Sequence, residues 1–298
     1  MDVIGKRCQA QLKEKGMKNL NVAVVGLGLI GGSLSLRMKE LGLARRIIGV
    51  DANPLHRETA LELGLVDATE ELEEAVSASD LVMLATPVDA MLSLLPRILD
   101  SVGDRVAIDL GSTKSPIIET VKGHPSRGRY VAAHPMWGTE YSGPQAAVSG
   151  AFRDKAVILC DLVDSDPDAA ETAKSLFREI GMHLLEMTAE AHDTHAAYVS
   201  HISHITSFAL ANTVLEKERE DDAIFELASA GFESTVRLAK SNPDMWVPIF
   251  RQNRDNVLDV LNEHISQLRK FKSCLEKENW DYLAELIRDA NRIRRIIR

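Results

Sequence analysis

The chain has 298 residues, of which 45% are hydrophobic and 27% are charged, and its formal net charge at pH 7 is −9. These proportions are typical of a globular protein with about two domains and argue against wholesale disorder. The negative charge repels polyanions, so we expect no nucleic-acid partner. Five arginines between Arg288 and Arg298 are interpreted as cations placed favourably near the end of a helix.

The cysteines and the N-terminus indicate the compartment. Cys8, Cys160 and Cys274 lie far apart and lack metal-site spacing, which is typical of a reducing environment. Residues 1–18 form a polar extension without the apolar run of a signal peptide. No run of about 18 apolar residues occurs, so no membrane span is expected. We therefore expect a soluble, cytoplasmic protein.

From residue 20 onward, short runs rich in β-branched residues alternate with longer amphipathic stretches. The predicted strands are 20–26, 45–51, 79–87, 104–112, 130–135, 155–161 and 182–187, and the predicted helices include 29–42, 54–64 and 166–181. Pro54 at the start of one helix and Gly64 just past its end are typical helix boundaries. The alternation indicates an α/β fold with a parallel, doubly wound, Rossmann-type sheet.

Beyond Met187 the pattern changes to helical periodicity without convincing strands. We expect a dinucleotide-binding domain over residues 1–187 and an all-α domain over 188–298, joined by a helix that begins near Thr188. The second segment has about 110 residues, too few to bury its apolar helix faces well alone. This predicts a homodimer formed mainly through these helices.

A glycine-rich motif, Gly26-x-Gly28-x-x-Gly31, follows the first predicted strand and opens a helix, and Asp51 comes twenty positions later. That context is the fingerprint of dinucleotide binding. The glycines allow a tight turn and close backbone approach to a pyrophosphate at the helix N-terminus. Asp51 would accept hydrogen bonds from ribose hydroxyls and repel a 2′-phosphate, so NAD is expected. The alternative is a glycine turn in a fold that has lost its ligand.

Two later segments end predicted strands where parallel sheets bind ligands. In Asp109–Lys114 the hydroxyl of Ser112 is expected to point into the cleft, although Ser112 or Thr113 could instead cap a helix. In the second segment His134 lies at the end of a predicted strand and is well placed as a general base, because its ordinary pKa lies near neutrality.

Four histidines lie close together on one predicted helix. They are His192, His195, His201 and His204. On a regular helix they do not converge on one face, so no metal site is expected. Ser200 and His204 do share a face, which Ser207 extends, and this face is expected to line the cleft. His192 and His195 are expected at the surface.

Together these segments resemble the prephenate and arogenate dehydrogenases of tyrosine biosynthesis, over roughly residues 20 to 270. The motifs that carry the resemblance are GLGLIGGSL, DLGSTK, HPMWGTEYSG, SHISH at 200–204 and GFESTVRLAKSNPDMW at 231–246. The resemblance implies a homodimeric enzyme that uses NAD for the oxidative decarboxylation of prephenate to 4-hydroxyphenylpyruvate. Arogenate is the alternative substrate, and we interpret His204 as a cation that would favour prephenate.

The resemblance also implies roles for individual residues. His134 and Ser112 are expected to be catalytic, and the expected substrate-binding residues are Arg237, His204, Ser200, Thr139, Glu140 and Trp246. The expected cofactor contacts are Gly26, Gly28, Leu29, Ile30, Gly31, Asp51, Thr86 and Ser112. The sequence departs from the family pattern at Trp137, where a small residue is expected, and at Ser234, where an acidic residue is common.

Two other functions are also compatible with the sequence. One is a different two-domain NAD-dependent dehydrogenase of hydroxy or imino acids, but such enzymes commonly use a lysine base, and the corresponding helix face carries no lysine. The other is a catalytically silent protein that senses NAD.

Overall fold

A computed structural model describes residues 18–218 and 227–296. The strands are β1 Leu20–Val25, β2 Ala44–Val50, β3 Ala68–Thr69, β4 Leu81–Leu84, β5 Val106–Asp109, β6 Tyr130–Pro135, β7 Ala156–Cys160 and β8 His183–Met187. The helices are α1 Leu29–Glu40, α2 Pro54–Glu62, α3 Leu72–Ser77, α4 Val88–Ser101, α5 Ser115–Glu119, α6 Pro167–Ile180, α7 Ala189–Ala196, α8 Ile202–Glu218, α9 Ala230–Val236, α10 Pro243–Gln252, α11 Arg254–Glu276 and α12 Trp280–Ala290.

The strands form one eight-stranded sheet in the order β3-β2-β1-β4-β5-β6-β7-β8. The chain builds outward from β1 through β2 to β3 and then returns to place β4 on the other side of β1. This reversal creates a crevice at the carboxyl ends of β1 and β4, the position where open α/β sheets bind ligands. The predicted α/β class with a Rossmann-type sheet is confirmed.

The prediction of an entirely parallel sheet was wrong for its last two strands. β7 runs antiparallel to β6, and β8 runs parallel to β7. The physical reason lies in the connection between β6 and β7, residues 136–155, which contains only a short 3-10 turn, Pro144–Ala146. A parallel β7 would require a crossover that returns the chain to the amino ends of the strands. This connection has no crossover helix, so β7 begins at the carboxyl ends and runs antiparallel to β6. The connection therefore lies at the carboxyl edge, beside the crevice.

The sheet is covered on both faces, because alternate residues of its strands enter two separate cores. Val22 and Val24 of β1 pack in a core with α1 and α6, whereas Ala23 and Val25 pack in a core with α3 and α4. Trp246, on α10 of the helical part, belongs to the second core. The helical part therefore packs directly on this face of the sheet.

After Met187 the described residues form helices and no strand. Thr188 caps α7, because its side chain accepts a hydrogen bond from the backbone amide of Ala191. A π-helical turn, Ala197–His201, separates α7 from α8. Among the helices of the described ranges, none combines the length and hydropathy that crossing a membrane requires.

Candidate active site

The glycine turn after β1 has the shape that the sequence predicts. Gly26 has φ of +97°, and a Cβ there would lie 2.6 Å from the carbonyl carbon of Ala85. A Cβ on Gly31 would lie 1.9 Å from the carbonyl oxygen of Gly26, so α1 packs closely against the turn. A Cβ on Gly28 would meet nothing within 4 Å. The backbone at Gly28 therefore borders open space at the N-terminus of α1, where amide groups favour a phosphate.

Asp51 follows β2 and holds this turn in place. Its Oδ2 accepts a hydrogen bond of 2.8 Å from the amide of Leu27, and its Oδ1 accepts one of 2.9 Å from the amide of Asn53. The carboxylate stays 13% exposed, with Nδ1 of His56 at 3.4 Å. It retains acceptor capacity for hydroxyl groups, because each oxygen accepts more than one hydrogen bond.

A second group at the crevice fits a polar ligand. Thr86 follows β4, and its buried Oγ1 has no hydrogen-bond partner among the residues described. The backbone nitrogen of Thr86 would lie 2.7 Å from a Cβ on Gly26, so Thr86 lies next to the turn. A buried polar atom without a partner is costly. The glycine turn with open space at Gly28 and the unpartnered Thr86 hydroxyl together fit a dinucleotide. Leu29 and Ile30, the other two predicted contacts, begin α1 and are partly buried.

A buried ion pair supports the loop that carries Ser112. Lys114 Nζ binds Asp109 and donates a hydrogen bond of 2.7 Å to the carbonyl oxygen of Ala133, and the Tyr130 hydroxyl donates one of 2.6 Å to Asp109 Oδ2. The side chains of Lys114 and Asp109 are fully buried. Burial and the nearby Asp109 carboxylate raise the pKa of Tyr130 far above its usual value, so its hydroxyl remains a donor. The cluster joins β5 to the residue just before His134.

His134 lies at the carboxyl end of β6 and contacts a second histidine. Its Nδ1 is 2.7 Å from Nε2 of His192, and Nδ1 of His192 is 2.9 Å from Oδ1 of Asp193. Burial, followed by the influence of His192 and Lys114, holds the pKa of His134 well below 6.5. The imidazole is therefore neutral at pH 7 and available as a base.

The structure corrects the expected surroundings of His134. His192, predicted at the surface, is fully buried, whereas His195 is exposed as predicted. The π-helical turn at Ala197–His201 adds a residue to one turn, so a regular helical wheel does not hold across it. Ser112 is partly buried on its loop, and within the described chain no hydrogen bond joins it to His134.

Asp193 also holds the Ser112 loop. Its two carboxylate oxygens each accept a hydrogen bond of 2.8 Å, from the amides of Lys114 and Ser115 at the start of α5. The alternative that Ser112 or Thr113 caps this helix was wrong, because the carboxylate of α7 takes that role. Thr113 instead donates a hydrogen bond of 2.6 Å to Gln252 at the end of α10.

His204 faces Trp246 rather than a charged group. The two rings stack with centroids 3.5 Å apart, and Nδ1 of His204 lies 3.0 Å from the carbonyl oxygen of Ser200. Burial lowers the pKa of His204, and the Arg237 cation also lowers it. Interpreting His204 as a cation was therefore wrong. A carbonyl only accepts, so Nδ1 carries the proton and Nε2 of the neutral ring is an acceptor.

One neighbour of His204 departs from expectation. Ser207, expected on the cleft face, is buried and donates a hydrogen bond of 3.0 Å to the carbonyl oxygen of Thr235. It therefore joins α8 to α9. Burial lowers the pKa of His201 to about 4, and Asn253 lies 3.2 Å from its Nδ1. The buried Nε1 of Trp246 has no hydrogen-bond partner within residues 18–218 and 227–296.

Arg237 pairs with a carboxylate on the loop after β6. Its NH1 is 2.9 Å from Oε2 of Glu140, with the Arg237 side chain 49% exposed and the Glu140 side chain 13% exposed. Glu233, four residues earlier in the chain, faces Lys240 at 3.9 Å rather than Arg237. Its own backbone amide and Arg237 hold the pKa of Glu140 below its ordinary value.

The loop after β6 brings two more expected residues into this region. Oγ1 of Thr139 accepts a hydrogen bond of 3.3 Å from the amide of Tyr141, next to Glu140. Trp137, the first departure from the family pattern, packs edge-to-face on Phe152 at 5.4 Å and joins the core of the sheet domain. Its bulk is thus accommodated in that core. Ser234, the second departure, is exposed on α9.

Sequence reasoning missed the contributions of Lys114, His192 and Asp193. His192 and Asp193 are adjacent in the sequence, but the residues that they contact, His134, Lys114 and Ser115, lie 58 to 79 residues earlier in the chain. Over the described parts of the chain, no group of three or more His, Cys, Asp or Glu side chains is arranged to hold a metal ion.

Comparisons with known proteins agree with this two-part architecture. Residues 34–186 match the family described as the nucleotide-binding domain of prephenate dehydrogenase, and residues 188–289 match the one described as its dimerization domain. The prephenate dehydrogenase of Bacillus subtilis (strain 168) is 32% identical over 273 residues, which are 90% of this chain and 74% of the relative. The cyclohexadienyl dehydrogenase of Zymomonas mobilis is 31% identical over 92% of this chain and 94% of the relative.

Solved structures are similar over nearly the whole chain. The prephenate dehydrogenase of Aquifex aeolicus, in complex with hydroxyphenyl propionate and NAD+, has a TM-score of 0.87 at 28% identity and covers 95% of this chain and 100% of its own. The arogenate dehydrogenase of Synechocystis has a TM-score of 0.74 at 26% identity, covering 92% of this chain and 98% of its own. The fold and crevice define a two-domain nucleotide-dependent dehydrogenase. The chain belongs to the prephenate dehydrogenase family.

Proposed function

We propose that the protein catalyses the NAD-dependent oxidative decarboxylation of prephenate to 4-hydroxyphenylpyruvate in tyrosine biosynthesis. The observation that carries the proposal is the neutral His134 at the carboxyl end of β6, on the same edge of the sheet as a turn shaped for a dinucleotide. Family membership and the NAD+ in the similar Aquifex aeolicus structure support the same assignment.

Different residues of the crevice would bind different parts of the cofactor. Gly28 and the first amides of α1 would contact the pyrophosphate, and Asp51 would accept hydrogen bonds from ribose hydroxyls. The unpartnered hydroxyl of Thr86 would bind a polar group of the cofactor, and Ser112 would lie between cofactor and substrate. When bound, NAD supplies the acceptor for the hydride that leaves carbon 4 of the prephenate ring.

His134 would act as the general base of the reaction. The imidazole accepts the proton of the substrate hydroxyl as carbon 4 loses its hydride, which leaves a carbonyl at that carbon. The bond between ring carbon 1 and its carboxylate then breaks, and its electron pair enters the ring as carbon dioxide leaves. The resulting phenolate oxygen takes the proton back from His134. No external acid is consumed, and aromatisation provides much of the driving force.

Arg237 is proposed to bind a carboxylate of the substrate, because its planar guanidinium presents two parallel donors. It already contacts Glu140, so the substrate carboxylate would replace or share this partner. His204, Ser200, Thr139 and the Nε1 of Trp246 would provide neutral contacts nearby. The buried lysine of this region, Lys114, is paired with Asp109 and is not a free base, which disfavours the hydroxy or imino acid dehydrogenases.

A substrate panel tests this proposal. Prephenate, arogenate and several hydroxy acids are each offered with NAD and with NADP, and reduced cofactor and carbon dioxide are measured. We expect one carbon dioxide per NADH with prephenate and a higher kcat/KM with NAD than with NADP. NADH formation from hydroxy acids but not from prephenate would refute the assignment, and binding of NAD without turnover of any substrate would indicate a sensing protein.

Arogenate is the second candidate substrate, favoured by one observation. Arogenate carries an ammonium group where prephenate carries a keto group, and the neutral His204 offers a lone pair that can accept a hydrogen bond from an ammonium. If His204 meets the side chain of the substrate, arogenate should be turned over as well. The ratio of kcat/KM for the two substrates in the same panel decides between them.

We further propose that residues 1–187 form the NAD-binding domain and residues 188–298 the substrate and dimerisation domain of a homodimer. The match of residues 188–289 to a dimerization domain supports this. So do the exposed apolar side chains on α11 and α12, among them Leu268, Leu275, Trp280 and Ile287. Light scattering at micromolar concentration should give twice the monomer mass, and a strictly monomeric mass would refute the dimer.

A further inference from the structure

The contact between His134 and His192 determines which nitrogen of His134 can act as the base. A neutral imidazole has one N–H donor and one lone-pair acceptor, and only the nitrogen with the lone pair can take a proton. Nδ1 of His134 is occupied by His192, whereas its Nε2 makes no hydrogen bond to any residue described. Since His134 is only partly buried as a residue, Nε2 is the nitrogen left for a substrate.

Asp193 fixes the direction of these hydrogen bonds. Burial alone would raise the pKa of Asp193, but hydrogen bonds from His192 and Ser115 outweigh this and hold that pKa below its ordinary value. The carboxylate is therefore ionised and can only accept hydrogen bonds. It follows that Nδ1 of His192 carries a proton and donates to Asp193.

The position of the proton on His192 also sets the direction of its hydrogen bond with His134. When His192 is neutral with its proton on Nδ1, its Nε2 has the lone pair and must accept, so Nδ1 of His134 must be the donor. We propose, resting on the function proposed above, that His192 and Asp193 are positioning residues that keep His134 in one tautomer, with the proton on Nδ1 and the lone pair on Nε2.

The arrangement links the two parts of the chain. His134 belongs to β6, whereas His192 and Asp193 belong to α7, after the last strand. Asp193 also accepts hydrogen bonds from Lys114 and Ser115 on the loop that carries Ser112. The base acquires its tautomer only when α7 is packed against the sheet, so packing of the helical part prepares both His134 and the Ser112 loop.

The tautomer can be observed directly by nitrogen-15 NMR on the full-length protein labelled in histidine, with and without NAD, at a pH near 7. His134 is assigned by comparison with His134→Asn. We expect a protonated Nδ1 and an unprotonated Nε2 for His134. The opposite tautomer, or an even mixture of the two, would overturn the proposal whatever the activity of the enzyme. Absence of prephenate turnover with this tautomer present would instead refute only the proposed function.

Variants of His192 test the consequence for catalysis. His192→Phe keeps an aromatic ring without an acceptor and should lower kcat by roughly 10- to 1,000-fold, with KM for prephenate within about three-fold. His192→Gln can accept the Nδ1 proton through its carbonyl oxygen and should retain more kcat than His192→Phe. The matched control is His195→Gln, an exposed site on the same helix, which should leave kcat unchanged.

The comparison of the two His192 variants distinguishes positioning from packing. If His192→Gln retained no more kcat than His192→Phe, acceptance of the proton would not be what His192 provides, and the proposal would fail. It would fail equally if His192→Phe kept kcat within two-fold of the parent.

Discussion

Two parts of the candidate site are built in opposite ways. The part proposed for proton transfer, called the proton-transfer end, is formed by His134, His192 and Asp193. It is largely withdrawn from water, and both His192 nitrogens and both Asp193 oxygens have partners. The part proposed to bind the substrate carboxylate, called the carboxylate end, is formed by Arg237 and Glu140 and has one ion pair whose arginine is about half exposed. Buried polar groups with full sets of partners are fixed in position, whereas an exposed ion pair contributes little and exchanges partners easily.

This difference corresponds to two chemical tasks. Proton transfer requires one nitrogen at one position, so rigidity is useful there. Binding and release of a substrate carboxylate require a cation that can exchange one partner for another, so a modest and solvated contact is useful. We therefore expect changes at the proton-transfer end to act on kcat and changes at the carboxylate end to act on KM.

The largest effect is expected at the base itself. His134→Asn keeps a polar side chain of similar size but cannot take the proton, so kcat should fall by roughly 10²- to 10⁴-fold with KM for prephenate changed by no more than a few-fold. Steady-state kinetics with NAD as cofactor measure both values, with His183→Asn at an exposed position as the control. A kcat near that of the parent would place the base elsewhere.

The buried ion pair beneath the base should be important for stability. Lys114→Met leaves Asp109 buried without its cation and should destabilise the protein by about 3–5 kcal/mol, measured by urea denaturation. Lys122→Met is the control, because Lys122 is 72% exposed and pairs with Glu119. It should change stability by less than about 0.5 kcal/mol. Equal effects of the two substitutions would mean that the buried pair contributes no more to stability than an exposed pair does.

The dependence of activity on pH should show the low pKa of His134. Because burial holds that pKa well below 6.5, the imidazole remains unprotonated as the pH falls through 6.5, and kcat/KM for prephenate should decline only at lower pH. The profile is measured with prephenate below saturation. An acidic limb centred at or above pH 6.5 would show that His134 is solvated like an ordinary histidine, and the contrast between the two ends would disappear.

A smaller effect is expected at the carboxylate end. Arg237→Gln removes a charged contact that is partly solvated, which should cost about 1–2 kcal/mol, or roughly five- to thirty-fold in KM for prephenate. Stability and the Kd for NAD should stay near the parent values. Lysine at this position should restore binding only in part, since it keeps the charge and loses the planar pair of donors. A KM within two-fold of the parent would reduce Arg237 to a surface residue paired with Glu140.

The features that the sequence predicted are those that depend on local pattern. Gly26, Gly31 and Asp51 lie on a strand, a turn and a helix that follow one another in the chain. Ser112 lies just past a strand and His134 lies at the end of one, and the pattern of apolar residues reveals both strands. The local pattern is therefore enough to locate each of these residues at the carboxyl edge of the sheet.

The features that the sequence did not predict depend on remote contacts. His192 is buried because α7 packs against β6, 58 residues earlier in the chain, and a π-helical turn disturbs the periodicity that would indicate its face. The antiparallel direction of β7 follows from the absence of a crossover helix, which a strand pattern does not show. The charge state of His204 depends on its burial against Trp246.

A double-mutant cycle on His134→Asn and Arg237→Gln tests the separation of the two ends most directly. The two side chains share no hydrogen-bond or ion-pair partner among the described residues. Their effects on the free energy of activation, measured from kcat/KM for prephenate with NAD, should therefore add to within about 0.5 kcal/mol. The loss from His134→Asn should lie in kcat and the loss from Arg237→Gln in KM. An interaction energy well above about 1 kcal/mol, or a large fall in kcat from Arg237→Gln alone, would contradict the division of the site into two independent ends.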